Sequence, residues 1–364
     1  MKIRVFLLSI LIIMILLNPL LVLATDTSKS SIVMDLDSGR VLYSKNSNEK
    51  RLIASTTKIL TAIVAIENAK LDEMVKIGEE ILTMYGTNIY IEVGEEITIK
   101  DLLYGLLLRS GNDAAVALAV AVSGSEEAFV EEMNKKAKKI GMKNSVFANP
   151  HGLDENSQNY STAYDMAILS KYAYHNKTYM EIASTKKHTV STGVKTYLWY
   201  NRNKLLTSYQ YCTGGKNGYT PSAGKTLVTT ATKEKLNLTV VTLNDPNEYE
   251  THKSLYEDMF DKYKSYAIID KNNFAIDSSF YDGNPYLKQS FYYPLTLDET
   301  DQIKTIIDIS KTRANKIGSI KVYLDSEKIG EVSVYDKQSK KKEESLFLKF
   351  TNQLLDNLKK FILG

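Results

Sequence analysis

The chain has one cysteine, Cys212, among 364 residues. No internal disulfide is therefore possible, and the core must hold without covalent staples. Nothing near Cys212 in the sequence marks a thiol of lowered pKa, and it reads as a small buried apolar residue. Histidine is almost as scarce. The four present, His151, His175, His188 and His252, are scattered without metal-ligand spacing, so neither a metal centre nor a cofactor is expected. Charge of one sign is not in excess, and a net +3 is too small to argue for nucleic acid as a partner. No internal repeat is present. The 43% hydrophobic and 24% charged residues read as a globular chain, long enough for one large core or two smaller ones.

One long apolar run exists. It extends from Val5 to Leu23 behind Lys2 and Arg4, interrupted by Asn18 and Pro19. Val22-Leu23-Ala24 fits the small-residue cleavage rule, so residues 1–24 read as an export signal cut after Ala24, with an uncleaved membrane anchor as the alternative. On either reading the remaining chain is exported.

The remainder is organised around Ala54-Ser55-Thr56-Thr57-Lys58, which opens a helix apolar nearly all round through Ile59, Leu60, Ile63, Val64 and Ile66. Such a helix belongs in the middle of a domain. Ser and Lys three apart share one helix face. In the first turn, free N–H groups and the positive dipole end favour a developing negative charge and lower the lysine pKa. Ser55 is thus a candidate nucleophile and Lys58 its general base. The spacing alone also arises by chance in a lysine-rich chain.

Before this stretch, Ser31–Leu36 and Val41–Tyr43 read as a hairpin. After it, residues 70–97 are mixed and strand-like. Thr98 caps a helix over Asp101–Arg109, which breaks at Ser110-Gly111-Asn112 before a second apolar helix from Asp113 to about Val122. Ser125 opens an amphipathic helix ending before Gly141, Asn149–Gly152 is a turn, and Ser161–Asp165 begins a helix to about His175. Strands are expected near 188–190, 226–230 and 238–243, and a helix over Thr251–Lys262. From about Tyr266 short alternating runs read as a small β-rich domain. Ser339–Glu344 is a charged linker. In Ser345–Gly364 one face carries Leu346, Phe347, Phe350, Leu354, Leu355, Leu358, Phe361 and Ile362, and Lys349, Asp356, Lys359 and Lys360 lie opposite. That segment suits the plane of an anionic membrane surface, or else packs on its own domain.

Two further stretches carry chemistry. Ser110-Gly111-Asn112, at a break between apolar helices, projects polar side chains: Ser110 to relay a proton, Asn112 to hold Lys58 and a substrate amide. Gly214-Gly215-Lys216-Asn217-Gly218-Tyr219 sets a lysine among glycines, where a ligand can approach the backbone and meet positive charge. Alone, the first is an ordinary loop and the second a hairpin turn.

In the order Ser-x-x-Lys, Ser-Gly-Asn, Lys-Asn-Gly, the three match the motif set of penicillin-binding proteins and serine β-lactamases. With Met34–Gly39, Leu102–Ala115, Asn149–Leu153, Ser161–Asp165 and Gly218–Gly224, the chain closely resembles the low-molecular-mass penicillin-binding proteins, the serine-type D-alanyl-D-alanine carboxypeptidases, over roughly residues 30–260. The resemblance implies an α/β fold. A serine β-lactamase/transpeptidase-like domain, an antiparallel sheet with helices plus an all-helical part, would cover 25–265. A β-rich domain would follow over 266–338, then a linker and membrane-anchor helix over 339–364. It implies that Ser55 attacks the terminal D-Ala–D-Ala bond of a peptidoglycan stem peptide, Lys58 takes the proton and Ser110 passes it to the leaving D-alanine. The backbone N–H groups of Ser55 and Tyr219 would form the oxyanion hole, and Asn112, Lys216, Asn217 and Gly218 would bind substrate. β-Lactams would acylate Ser55, at the outer face of the cytoplasmic membrane. Asn217 stands where the family usually has Thr, which bears on substrate preference and turnover. The competing readings are a β-lactamase, a non-catalytic wall-binding protein that kept the fold, and an endopeptidase on cross-linked wall peptides.

Overall fold

The structure, a computed structural model, describes residues 26–277, 281, 283–309 and 315–337. The expected signal segment, linker and amphipathic helix lie outside these residues. The chain divides into two compact units, one ending at Phe260 and the other beginning at Asp261, with Glu234–Leu236 counted in the second.

The first unit holds a five-stranded antiparallel sheet and a group of helices. The expected hairpin is present as β1 (Ser30–Asp35) and β2 (Val41–Lys45). After Ile53 the chain makes one tight turn over Ala54–Thr57 and continues as α1 (Lys58–Asn68). The eight residues Lys58–Ala65 are buried, so α1 runs through the core as its all-round apolar sequence requires. α2 (Ile99–Tyr104) is capped by Thr98, whose hydroxyl accepts from the Asp101 N–H. It does not continue regularly to Arg109. Residues 105–109 form one wide turn of π type, closed by Ser110 at φ 67°. Such widened turns recur at functional sites. The chain then re-enters a helix as α3 (Asn112–Ser123), and α4 (Glu126–Ile140) follows with Ser125 as its cap and Gly141 in the left-handed conformation at its end.

α5 (Ala163–Tyr174) starts at Thr162, which caps the Asp165 N–H, and α6 (Lys177–Ser184) comes next. Gly214–Tyr219, for which a hairpin turn is the plainer sequence reading, lies within a nine-residue strand, β3 (Cys212–Thr220). It pairs with β4 (Gly224–Lys233) in the register Thr220–Gly224, Gly218–Thr226 and Lys216–Val228. β5 (Leu236–Leu243) completes the order β2-β1-β5-β4-β3. The glycines that look like loop residues serve here to let neighbours approach an edge strand. α7 (Glu248–Lys262) starts three residues before the expected position.

The second unit is β-rich, as its alternating runs predict. β6 (Lys264–Ile269) pairs with β8 (Phe291–Leu295), while β7 (Pro285–Leu287), β9 (Ile303–Ile309), β10 (Lys316–Leu324) and β11 (Glu327–Asp336) form a sheet in the order β7-β11-β10-β9. Its own core is built on Ile269, Leu287, Ile317, Ile320, Val322, Val332 and Val334.

Candidate active site

Ser55 does not sit in the first turn of the α-helix proper. It lies in the tight turn Ala54–Thr57, and the α-helix begins at Lys58. The turn follows Ala54, whose φ of 48° is in the left-handed region, a costly conformation for alanine that local packing must enforce. The three-residue spacing still brings the pair together. Lys58 Nζ is 3.1 Å from Ser55 Oγ. Ser55 is half-buried and Lys58 fully buried.

Two oxygens from distant parts of the chain complete the surroundings of Lys58. Its Nζ donates to Asn112 Oδ1 at 2.8 Å and to the backbone carbonyl of His151. Among the described residues no carboxylate bonds it. Burial drives its pKa well below the usual lysine value, and the charges of Lys216 and Arg202 push the same way against a smaller opposing effect of Asp113. Lys216 is also fully buried, and its pKa falls to about 7 through burial and the charge of Arg202.

Asn112 is held for this contact. Its Nδ2 donates to the Tyr85 carbonyl at 2.6 Å, and its backbone N–H to the Thr87 carbonyl at 2.7 Å. Its neighbour Asp113 accepts from the N–H groups of Ile89, Tyr90 and Ala114, which pins residues 85–90 beside the Ser110–Asn112 break. Ser110 is buried, two residues from Asn112.

β3 runs alongside the Ser55 turn. A Cβ at Gly218 would stand 2.7 Å from the Ser55 backbone nitrogen and 3.0 Å from that of Thr56, so only glycine fits there. This approach sets the backbone around Gly218 and Tyr219 beside the nucleophile. Lys216 Nζ donates to the Asn217 carbonyl at 2.6 Å, with Asn217 Oδ1 at 3.4 Å. Tyr219 is exposed next to them.

The loop 149–154 closes the far side. Gly152, at φ 88°, lies so near the nucleophile turn that a Cβ would meet the Ala54 carbonyl oxygen at 2.1 Å and the Ser55 nitrogen at 2.9 Å. Asn149 Oδ1 accepts from the Gly152 N–H, Asn159 Nδ2 donates to Thr57 Oγ1, and Thr61 Oγ1 donates to the Pro150 carbonyl. The loop is therefore stitched onto α1.

The structure brings Ser55, Lys58 and Asn112 into direct contact and packs Gly218 against the Ser55 turn, with Lys216, Asn217 and Tyr219 on the same strand as Gly218 and Ser110 two residues from Asn112. The His151 carbonyl, Asp113, Arg202 and Arg109 were not singled out. The first is a backbone atom and carries no side-chain signal. Arg202 stands in an unremarkable polar loop, with its guanidinium 3.1 Å from Thr87 Oγ1, and Arg109 affects it through charge. Cys212 is half-buried, and burial raises its pKa to about 11, which fits an inert thiol.

Comparison with known proteins agrees with this geometry. Residues 22–247 match the profile of peptidase family S11, D-alanyl-D-alanine carboxypeptidase. The D-alanyl-D-alanine carboxypeptidase DacF of Bacillus subtilis is 37% identical over 254 residues, 67% of this chain and 65% of its own length. DacC of Escherichia coli is 36% identical over 228 residues, 59% of this chain and 56% of its own. The matches thus span between about half and two thirds of these relatives. Among solved structures, penicillin-binding protein 5 of Haemophilus influenzae superposes with a TM-score of 0.71 at 25% identity, covering 86% of this chain and 97% of that one. A D-alanyl-D-alanine carboxypeptidase of Mycobacterium tuberculosis gives 0.62 at 30% identity, covering 65% and 92%. With well over half its length matched, the chain belongs to peptidase family S11, the D-alanyl-D-alanine carboxypeptidases.

Proposed function

We propose that this chain removes the terminal D-alanine from peptidoglycan stem peptides through an acyl-enzyme on Ser55, and that β-lactams acylate the same oxygen. The observation that carries this reading is the set of three oxygens around Lys58 Nζ. Two of them, the Asn112 and His151 carbonyl oxygens, only accept. A neutral amine spends its two N–H groups on these and turns its lone pair to the third, the Ser55 hydroxyl. The lowered pKa makes that neutral form available.

In the forward step the Ser55 oxygen attacks the carbonyl carbon of the D-Ala–D-Ala bond while Lys58 takes its proton. The oxyanion is met by the N–H groups of Ser55 and Tyr219. The C–N bond then breaks as the proton on Lys58 passes through Ser110 to the departing amine, which leaves Lys58 neutral and Ser110 a hydroxyl again. Water attacks the ester and gives a proton to Lys58, which returns it to the Ser55 oxygen as the ester C–O bond breaks, so that the carboxylic acid product leaves and the Ser55 hydroxyl is restored. Asn112 holds Lys58 and the substrate amide. Lys216 attracts the free carboxylate, Gly218 gives the room for close approach, and Asn217 takes the place of the usual Thr hydroxyl with an amide donor. Residues 25–265 act as the catalytic domain and 266–338 as a separate β-rich domain.

A first test incubates purified protein with a short peptide ending in D-Ala–D-Ala, and in parallel with a fluorescent penicillin. Free D-alanine and a penicillin adduct mapped to Ser55 are the expected results; an adduct elsewhere, or neither signal, defeats the reading. The pH dependence is a sharper check. Lys216 is charged below about pH 7 and neutral above it, so attraction for a substrate carboxylate is present at low pH and lost as pH rises. The second-order acylation constant of a penicillin should therefore gain an alkaline decline with a midpoint near 7, which the methyl ester of the same penicillin lacks. Identical profiles for acid and ester would rule out this role of Lys216.

The protein acts outside the cytoplasm, at the outer face of the cytoplasmic membrane, with Ser345–Gly364 lying in an anionic membrane surface. Deleting that segment is expected to abolish sedimentation with anionic vesicles and leave penicillin acylation unchanged. Continued sedimentation of the truncated, signal-processed protein would show the anchor to be elsewhere.

A further inference from the structure

Asp154 is buried and faces β3. Its Oδ2 accepts from Thr220 Oγ1 at 2.6 Å, a bond between residues 66 apart in sequence. Thr220 is the last residue of β3 and directly follows Tyr219. Its hydroxyl also accepts from the Ala223 N–H at 3.0 Å and so caps the turn into β4. Asp154 in turn ends the short loop that also meets Lys58 and the turn carrying Ser55. Within four residues that loop supplies the His151 carbonyl to Lys58 and presses Gly152 against the Ala54–Ser55 peptide. One rigid segment therefore carries three attachments: to the base, to the backbone of the nucleophile, and to the end of the edge strand.

From this arrangement we infer that Asp154 and Thr220 are a positioning pair that holds the Tyr219 N–H in register with the Ser55 N–H, so that the two donors converge on one oxyanion. The inference rests on the proposed acyl transfer at Ser55. β3 is an edge strand, last in its sheet. A two-donor hole needs its donors fixed within a few tenths of an ångström of the developing charge, since their worth lies in needing no reorganisation during reaction. A buried hydrogen bond at the strand terminus is a suitable restraint. The pair touches neither the reacting atoms nor Lys58, so it should act on the chemical step and leave the base unaltered.

The test measures penicillin acylation as a pre-acylation dissociation constant and a first-order acylation rate, with melting temperature as a check on folding. Asp154→Ala and Thr220→Val should each lower the acylation rate about 10- to 100-fold, with the dissociation constant and the acid limb of the pH profile unchanged. Thr220→Ser, which keeps the hydroxyl, should stay within about threefold of the unmodified protein. The double variant should be no slower than the slower single variant, because both remove one bond. A boronic acid analogue of the tetrahedral state should lose affinity by the same factor as the rate. Asp154→Ala leaves the Thr220–Ala223 cap in place, so it separates the cross-loop bond from simple turn stability. The inference is overturned by an unchanged rate in Thr220→Val, by equal losses in Thr220→Ser and Thr220→Val, or by single losses that multiply in the double variant. Absence of any Ser55 adduct in the unmodified protein would instead defeat the proposed function itself.

Discussion

Replacing Ser55 with alanine is expected to abolish covalent penicillin labelling and D-alanine release, a loss of roughly 10⁴-fold or more in turnover. The fold should survive, since Ser55 is half-buried in a short turn whose backbone is fixed from outside by Gly152 and Gly218. Lys58→Ala should fall short of this, by roughly 10²- to 10⁴-fold, the range for a missing general base. Two things distinguish it. The nucleophile is still present, so slow labelling at Ser55 should reappear at high pH, where hydroxide removes the proton. The cut side chain also leaves the Asn112 Oδ1 and His151 carbonyl oxygens without their shared donor in a buried site, which costs stability unless water enters. Intact-mass spectrometry after penicillin treatment, over a pH series, reads both effects. Adduct formation in Ser55→Ala would overturn the nucleophile assignment. An acylation rate in Lys58→Ala that matches the unmodified protein near neutral pH would overturn the base.

Adding one methyl group at Gly152 should damage the site nearly as severely without removing any reactive atom. The new Cβ would stand 2.1 Å from the Ala54 carbonyl oxygen and 2.9 Å from the Ser55 nitrogen, both backbone atoms that no rotamer change can move. Either the turn carrying Ser55 or the loop carrying the His151 carbonyl must shift, and a displacement near 1 Å at reacting groups costs about 100-fold. The left-handed φ of 88° adds strain for any L-residue. Gly141→Ala is the control. Gly141 is also left-handed, at φ 96°, but a Cβ there meets nothing within 4 Å. It should lower stability by about 1–2 kcal/mol and leave acylation unchanged. If Gly152→Ala acylates like Gly141→Ala, the close packing of loop and turn is not what places Ser55.

Local patterns in the chain are enough for much of this. The cap at Thr98 acts over three residues and accepts as its spacing predicts, and in the stretches read as helix starts Ser125 and Thr162 accept from the N–H three residues on in the same way. The all-round apolar run after Ser55 requires a buried helix, and a three-residue spacing requires Ser55 and Lys58 to face each other. The alternating runs beyond residue 266 dictate strands. For Gly214–Tyr219 the hairpin-turn reading fails and the backbone-edge reading fits, for a physical reason. Glycine-rich segments signal loops by their freedom, yet here the missing side chains admit the Ser55 turn on one side, which no local preference records.

What the sequence by itself determined is therefore the inventory: Ser55 and Lys58, the proposed nucleophile and base, one turn apart, the two motifs that accompany them, and most of the elements that carry all three. What only the tertiary structure decided is how the base is made usable. Asn112 lies 54 residues from Lys58 and the His151 carbonyl 93 residues away. Arg202 and Lys216 bear on its charge from still more distant segments. These are effects of burial, backbone oxygens and long-range charge, which depend on distance in space. Short-range preferences encode which residues can form a turn or a helix; desolvation and Coulomb interaction exist only once separate segments have been packed together.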